Sequence, residues 1–318
     1  MVSDTTSKRK RLRDILALRN PLILGSGPLG RNAQGLIKHG RYAGAVVAKS
    51  VTWLPQKGNP HPRIVSLGVF GLINWENLPN LGYKRFSEEV RIAKAECACP
   101  IIASLGPSNN LDQIKTMAAA LEEAGADALE LDFKWGYDPG SGHTGYDAKK
   151  GGGVFGAAVI STVLSALRQT VSMPLIAKLV ASAGDIVELA KTAEAAGASA
   201  VTAINSVFPA MKIDVEKHRP VLTSLFGGLS GKSIFPLAVA SVYRVYESVE
   251  IPIIGCGGVS SGEDALEMIM AGADAVQMCT AAMVDGPTVF QRVNDELNAL
   301  VKKLGFATVE ECRGLAHV

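Results

Sequence analysis

The chain has 318 residues, of which 47% are hydrophobic and 19% charged, and its formal net charge is +2. This is the composition of a globular enzyme with a large core, and a charge so close to zero does not indicate a nucleic-acid or membrane-binding surface. The apolar runs are far shorter than the roughly 18 residues that a membrane span needs. The polar, basic N-terminus lacks the apolar stretch of a signal peptide, so we expect a cytoplasmic protein with no membrane or nucleic-acid partner.

Five cysteines are present, and two of them, Cys97 and Cys99, form a C-x-C pair. The other three are scattered, at Cys256, Cys279 and Cys312. Because no second pair with metal-ligand spacing accompanies the first, the sequence predicts neither a zinc site nor an iron–sulfur cluster. An odd, scattered set of cysteines is typical of reduced thiols in a cytoplasm.

Short apolar runs alternate along the chain with longer amphipathic runs rich in Ala, Glu and Lys. Eight apolar runs are candidate strands, at Leu22–Leu24, Ala45–Ala48, Ile101–Ser104, Ala128–Leu131, Leu175–Lys178, Ala200–Ile204, Pro252–Gly255 and Ala275–Met278. They are apolar nearly throughout, as expected for parallel strands buried on both faces. Helical patterns separate them, for example at Leu111–Ala124, Val154–Thr170, Ala183–Ala196 and Gly262–Ala271. Gly125, Gly197 and Gly272 follow such patterns as C-terminal caps.

Eight βα units in one chain predict an α/β fold, the (β/α)8 TIM barrel, as a single domain over residues 1–318 with an N-terminal leader at 1–17. The main alternative is an open, doubly wound sheet that binds a dinucleotide. Gly25, Gly27 and Gly30 follow the first strand with the G-x-G-x-x-G spacing of such folds. However, Pro28 interrupts the motif, and no acidic residue ends the second strand at the right distance, so the barrel is favoured.

Three segments are longer than ordinary βα loops. Residues 50–85 and 206–233 are rich in Gly, Pro and Asn, and residues 133–153 contain seven Gly together with His143. Long loops after barrel strands cover the mouth at which barrel enzymes place their active sites. We therefore expect 133–153 and 206–233 to be active-site loops, the first of them as a mobile lid or a substrate loop.

Polar residues follow the predicted strands, at the end where barrel enzymes place their catalytic groups. In chain order these residues are Ser26, Lys49, Ser50, Ser104, Asp132, Lys178, Asn205, Ser206, Cys256, Cys279 and Thr280. Two lysines and an aspartate at the ends of apolar strands indicate a site, because a buried charge without a partner is costly. The alternative is that Asp132 simply pairs with Lys49 or Lys178. The residues after strands seven and eight lie where barrels usually bind phosphate.

An ordered series of motifs resembles the dihydroorotate dehydrogenase family and the related flavin mononucleotide (FMN) domain of dihydropyrimidine dehydrogenase. The series includes NPLILGSGPLG (20–30), VVAKSVT (46–52), NWENLPN (74–80), GADALELD (125–132), PLIAKL (174–179), INS (204–206), GGLSGKSIFP (227–236) and PIIGCGGVSSGEDALEMIMAGADAVQMCTA (252–281). Its order and spacing hold over roughly residues 18–315. The resemblance implies the same barrel, with FMN as the cofactor of a two-electron oxidoreductase.

The family's FMN-binding positions carry over residue by residue. By this resemblance Ser26, Lys49 and Ser50 lie near the isoalloxazine ring, and Lys178 lies near flavin N1, where a cation would stabilise the reduced ring. The phosphate and ribose would be held by Cys256, Gly257, Gly258, Cys279 and Thr280. Gly231 matches the last Gly of the GGLSG turn, and Ser206 is a further candidate FMN-binding residue.

The resemblance also implies that Asn74 and Asn205 bind a pyrimidine substrate, but it breaks after the fourth strand. There the family has Asn-x-Ser-Cys-Pro-Asn, or Ser in place of Cys, and that Cys or Ser is the base. This chain reads DFKWGY, so that Trp135 stands at the base position and cannot take a proton. Asp132 and Tyr137 replace the two asparagines, and an Asp repels a carboxylate such as that of orotate.

The loop after the second strand also differs from the family at a position suited to a carboxylate, since Gln56 stands where an arginine is common. We therefore expect an FMN-dependent oxidoreductase that transfers hydride between flavin N5 and a C=C or C–N bond of a small, cyclic substrate other than dihydroorotate. Lys134 and Tyr137 are the candidate catalytic proton carriers, while Asp132 and Trp135 would contact the substrate.

Two alternatives stay open. The first is a dihydroorotate or dihydropyrimidine dehydrogenase whose base is supplied from elsewhere, and the second is a non-catalytic flavin-binding barrel. Because the sequence has no iron–sulfur motif, electron exchange would need a separate electron-transfer partner, direct reduction by NAD(P)H, or another acceptor. We also expect a homodimer.

Overall fold

The computed structural model describes residues 9–106, 108, 110–133, 156–181 and 185–318. Its central element is a closed barrel of parallel strands, β1 (Leu22–Leu24), β2 (Ala45–Val47), β3 (Ile101–Leu105), β4 (Ala128–Asp132), β5 (Leu175–Leu179), β6 (Ala200–Ala203), β7 (Ile253–Cys256) and β8 (Ala275–Met278). Each strand pairs with its neighbours in sequence, and β8 closes against β1. The predicted TIM barrel is confirmed, and every strand end lies within one residue of its predicted position.

The α-helices of the described ranges pack around the barrel: α1 (Ala33–Gly40), α2 (Tyr83–Glu96), α3 (Leu111–Glu123), α4 (Ala157–Arg168), α5 (Ile186–Ala195), α6 (Phe235–Tyr246), α7 (Gly262–Met270), α8 (Thr280–Asp285) and α9 (Val289–Lys303). Gly125, Gly197 and Gly272 follow α3, α5 and α7 with φ of +95°, +92° and +119°, which confirms their predicted role as caps. None of these helices is both long and apolar enough to cross a membrane.

Short antiparallel strands form a rim over the mouth of the barrel, within segments that the sequence predicts as loops. One sheet contains Ile64–Ser66, Leu72–Asn74, Gly227–Ser230 and Val207–Ala210, and a hairpin pairs Ile213–Asp214 with Arg219–Pro220. These strands were missed because they are too short to show an alternating pattern and contain Gly and Pro. The sheet joins the segments after β2 and β6 into one rim and pairs Asn74 with Gly228.

Side-chain alternation along the strands divides the core into an outer and an inner layer. On β1, Leu22 and Leu24 pack with the helices, while Ile23 points into the barrel. Leu12 and Leu16 join the inner layer and are 1% and 3% exposed. The segment predicted as a leader therefore belongs to the barrel core from Leu12 onward.

Candidate active site

The residues that face into the barrel form an apolar ring and, two residues further along the strands, a polar one. The lower ring consists of Ile102, Ala128, Ile176, Ala200, Ile254 and Ala275. Two residues further along the same strands come Ser104, Glu130, Lys178, Thr202, Cys256 and Gln277. Because strand side chains alternate with a period of two, this second set, the polar ring, also faces inward and lies toward the carboxyl ends of the strands. It forms the floor of the candidate site.

Glu130 stands at the centre of the polar ring and is fully buried. Its Oε1 lies 3.3 Å from Nζ of Lys178. Its Oε2 accepts hydrogen bonds from Thr202 Oγ1 at 3.0 Å and from Gln277 Nε2 at 2.6 Å. Gln277 Oε1 in turn accepts from Lys178 Nζ at 2.8 Å. Residues from four strands thus hold one ammonium group in place. The sequence-based prediction missed Glu130 and Gln277, whose signal is a polar residue inside an apolar strand.

Lys178 remains charged in spite of its burial. Burial lowers the pKa of Lys178, whereas Cys256 once it is ionised, and the carboxylates of Glu130 and Asp132, raise it, and the net direction is upward. Burial also raises the pKa of Cys256, so its sulfur is a neutral thiol near neutral pH. The two carboxylates therefore stabilise the ammonium, as opposite charges nearby do. The floor of the site carries a fixed cation.

A second buried ion pair lies beside the first. Nζ of Lys49 is 2.9 Å from Oε2 of Glu76, and the two side chains are 10% and 6% exposed. Arg63 approaches the other oxygen of Glu76 at 3.8 Å. Lys49 and Lys178 thus have Glu76 and Glu130 as ion-pair partners, whereas the alternative considered from the sequence was a pair with Asp132. Glu76 was also missed, although it lies two residues after the matched Asn74.

The mouth of the barrel contains a cavity of about 310 Å³, at the lower end of the roughly 300–1,000 Å³ typical of small-molecule sites. The predicted site residues that line it are Ser26, Lys49, Ser50, Asn74, Asp132, Lys178, Asn205, Ser206, Gly231, Cys256, Gly257, Gly258, Cys279 and Thr280. The structure thus brings together every predicted site residue within the described ranges. Lys134, Trp135, Tyr137 and His143 lie outside the described residues.

Asn205 is held at the mouth by hydrogen bonds to its neighbours. Its Nδ2 donates to Oδ1 of Asp132 at 2.8 Å, and its Oδ1 accepts from the backbone N–H of Ser206 at 2.7 Å. Asp132 is the last residue of β4, and Asn205 follows β6. Asn74 ends a rim strand and lines the same cavity. Both asparagines that match the family's substrate-binding positions therefore lie at one site.

Glycines shape the part of the cavity next to β7 and β8. Gly231, Gly257 and Gly258 have φ of +90°, +136° and +81°, values that favour glycine. At Gly258 a Cβ would lie 2.7 Å from the carbonyl oxygen of Gly231 and 2.8 Å from Cβ of Phe235. Helix α8 begins at Thr280 beside these turns, and its first backbone N–H groups have no partner within the helix. Close-packed backbone next to a helix N-terminus suits a phosphate group, so these residues fit the phosphate end of FMN.

Substituting Gly258 by Ala is expected to weaken FMN binding at least tenfold. The added methyl group would collide with Gly231 and Phe235 and force apart two turns of the phosphate cradle. The control is Gly305→Ala, where φ is +87° but no atom of the described residues lies within 4 Å of the new Cβ. Fluorescence titration of the two apoproteins with FMN measures the difference. Equal dissociation constants for the two variants would show that Gly258 does not shape the cofactor site.

Known proteins match this chain over nearly its whole length. The family model of dihydroorotate dehydrogenase matches residues 14–301. The catalytic subunit of dihydroorotate dehydrogenase B (NAD(+)) from Methanothermobacter thermautotrophicus is 41% identical over 95% of this chain and 96% of its own. The Methanosarcina mazei protein of the same name is 38% identical, over 95% and 93%. A putative dihydroorotate dehydrogenase A (fumarate) from Aeropyrum pernix is also 38% identical, over 95% of each chain. The chain therefore belongs to the dihydroorotate dehydrogenase family and is an FMN-dependent oxidoreductase.

Proposed function

We propose that this chain oxidises the ring of a 5,6-dihydropyrimidine, with dihydroorotate as the first substrate to test. The observation that carries the proposal is the placement of Asn74 and Asn205 in one cavity with the buried Lys178 cation. The names of the relatives support dihydroorotate better than they support our expectation of a different substrate. Two amides can donate to and accept from the carbonyl and N–H groups of a pyrimidine ring.

The residues of the cavity divide into a cofactor set and a substrate set. FMN would supply a two-electron acceptor when bound. Gly231, Gly257, Gly258, Cys279 and Thr280 would hold its phosphate and ribose. Ser26, Lys49, Ser50, Ser206 and Cys256 would lie along the rest of the cofactor, with Lys178 beside the edge that gains negative charge on reduction. Asn74, Asn205 and Asp132 would hold the substrate.

The proton of the reaction needs a carrier other than the family's Cys or Ser, because Trp135 occupies that position and an indole does not accept a proton. We assign this role to Lys134, which directly precedes Trp135, or to Tyr137, which lies two residues after it. An amine or a phenol can carry a proton when its neighbours adjust its pKa. Trp135 would then form an apolar wall over the substrate.

A second candidate function is oxidation of a ring that has no carboxylate. Within the described residues, each lysine that lines the cavity already has a carboxylate partner: Lys49 with Glu76, Lys178 with Glu130, and Lys232 with Asp264. A substrate carboxylate would compete with these pairs, and Asp132 would repel it. This charge balance favours an uncharged dihydropyrimidine or a related cyclic amide.

Electrons would leave the chain through a separate redox subunit. The relative from Methanothermobacter thermautotrophicus is named as the catalytic subunit of an NAD(+)-linked enzyme. The sequence of this chain has no cysteine pattern for an iron–sulfur cluster. A partner that carries such a centre would connect the flavin to NAD(+).

A steady-state assay with an artificial electron acceptor tests the proposal. Dihydroorotate is expected to turn over at a rate on the order of 1–10³ s⁻¹, and Asn205→Ala to raise the KM for it at least tenfold. Asn298→Ala is the matched control, because Asn298 is exposed on α9. Turnover of dihydrouracil but not of dihydroorotate would establish the second candidate instead. Turnover of neither compound by FMN-loaded protein would contradict the proposal.

A further inference from the structure

The C-x-C pair lies at the opposite end of the barrel from the cavity. Cys97 directly follows α2, and Cys99 lies two residues before β3 begins. Their Sγ atoms are 3.5 Å apart. Cys97 is half-buried and Cys99 is 7% exposed. The S–S bond of a disulfide is about 2 Å long, so the two sulfurs would have to approach each other by about 1.5 Å to form one.

The surrounding structure makes room for both sulfurs. Gly40, the last residue of α1, packs against them, and a Cβ at this position would lie 2.3 Å from Sγ of Cys97 and 3.2 Å from Sγ of Cys99. Sγ of Cys97 also lies 3.9 Å from the carbonyl oxygen of Leu36 in α1. The ends of α1 and α2 and the start of β3 thus converge on the two thiols.

The charges around the pair favour one thiolate. The hydrogen bond from Cys99 lowers the pKa of Cys97 to about 6, against the opposing effect of burial and with the help of the Arg19 and Lys94 cations. The hydrogen bond to Cys97 raises the pKa of Cys99, as do burial and the Asp127 carboxylate. Cys97 is therefore the nucleophile and Cys99 the proton donor.

We propose that Cys97 and Cys99 form a peroxide-sensitive dithiol site that closes to a reversible disulfide. The Cys97 thiolate attacks a hydroperoxide, so that an S–O bond forms and the O–O bond breaks, and the released alkoxide or hydroxide takes a proton from water. The Cys99 sulfur then attacks the Cys97 sulfur. The S–S bond forms, the S–O bond breaks, and hydroxide leaves and takes up the proton of Cys99 as water.

This disulfide would have a chemical role rather than a stabilising one. It would close a loop of only three residues, and a cross-link adds less stability the shorter the loop that it closes. Solvent exposure also favours attack by Cys97 before Cys99, because the more exposed sulfur is the one whose pKa is lowered. The dithiol site reacts with a small hydroperoxide, and this reaction does not require a substrate in the cavity at the mouth of the barrel.

Mass spectrometry of the FMN-loaded protein tests the site directly. Trypsin cleavage after Lys94 and Lys115 gives one peptide that contains both cysteines and no others. After treatment with hydrogen peroxide this peptide is expected to be lighter by two hydrogen atoms and resistant to alkylation, and dithiothreitol should restore both thiols. The buried Cys312 is the internal control and should stay reduced. Two free thiols at Cys97 and Cys99, or oxidation of Cys97 to a sulfinic acid without a disulfide, would overturn the proposal.

The pH dependence of alkylation provides a second readout. The rate at Cys97 is expected to rise with a midpoint near pH 6, where the thiol loses its proton. In Cys99→Ala the midpoint should move up toward the ordinary cysteine pKa of 9.0, because the hydrogen-bond donor is lost. At neutral pH Cys97 should then react about tenfold more slowly in the variant than in the wild type. An unchanged midpoint would show that the two sulfurs do not act as a pair.

Discussion

Replacing Lys178 by Met is expected to lower kcat by about 10²–10³-fold, the usual effect of removing one preorganised electrostatic partner of the reacting group. Lys178 is the fixed cation at the floor of the cavity, and because its pKa is raised it is charged near neutral pH. Loss of this charge should also lower the reduction potential of bound FMN, because the reduced ring would lose its counter-ion. Steady-state kinetics and anaerobic reductive titration measure the two effects.

Lys191→Met is the control for this experiment, since it is the same substitution at an exposed position of α5. It should leave both the potential and kcat unchanged. Lys178→Arg keeps the positive charge, so the reduction potential of its FMN should stay close to the wild-type value. The larger guanidinium nevertheless fits the network with Glu130 and Gln277 less well. If the FMN of Lys178→Met had the wild-type reduction potential, the flavin would not lie beside this cation.

The Glu130→Leu variant is expected to lose about 3–5 kcal/mol of unfolding free energy, the range found when one partner of a buried ion pair is removed. The Lys178 ammonium would remain buried and keep only the Gln277 oxygen as a close partner within the polar ring. Urea unfolding of the FMN-free proteins measures the loss without a contribution from a difference in FMN affinity.

Two further variants show whether the loss belongs to the pair. The double variant Glu130→Leu/Lys178→Met removes both charges and should be more stable than Glu130→Leu alone, while its activity stays as low as that of Lys178→Met. Glu88→Leu breaks an exposed pair with Arg91, whose atoms are 2.7 Å apart, and should cost less than about 1 kcal/mol. If the double variant loses the full sum of the two single losses, Glu130 and Lys178 do not act together.

The barrel could be predicted from the sequence because its strands are continuous apolar runs and its helices have caps. Such patterns are local: the run at Leu175–Leu179 or the glycine at Gly125 shows its role within a few residues. The rim sheet could not be predicted in this way. Its strands are three to four residues long, and Asn74 pairs with Gly228 only after the chain has passed through four further barrel strands.

Some site residues could be predicted because their position at a strand end and their match to the family can be seen without knowing which residues they contact. Lys49 and Lys178 were found in this way, and both line the cavity. Their partners were not found, because Glu130 reaches Gln277 across 147 positions of sequence and closure of the barrel alone brings them together. Nevertheless, a glutamate with apolar neighbours on both sides, in a strand that must be buried, predicts a buried cationic partner from another part of the chain.

The most direct test of the account is anaerobic mixing of the FMN-loaded protein with dihydroorotate. If the cavity that contains Asn74, Asn205 and Lys178 binds a dihydropyrimidine against FMN, the visible absorbance of the oxidised flavin should disappear as one equivalent of orotate forms per FMN. Protein that stays oxidised with dihydroorotate and with dihydrouracil, although dithionite bleaches it fully, would contradict the account.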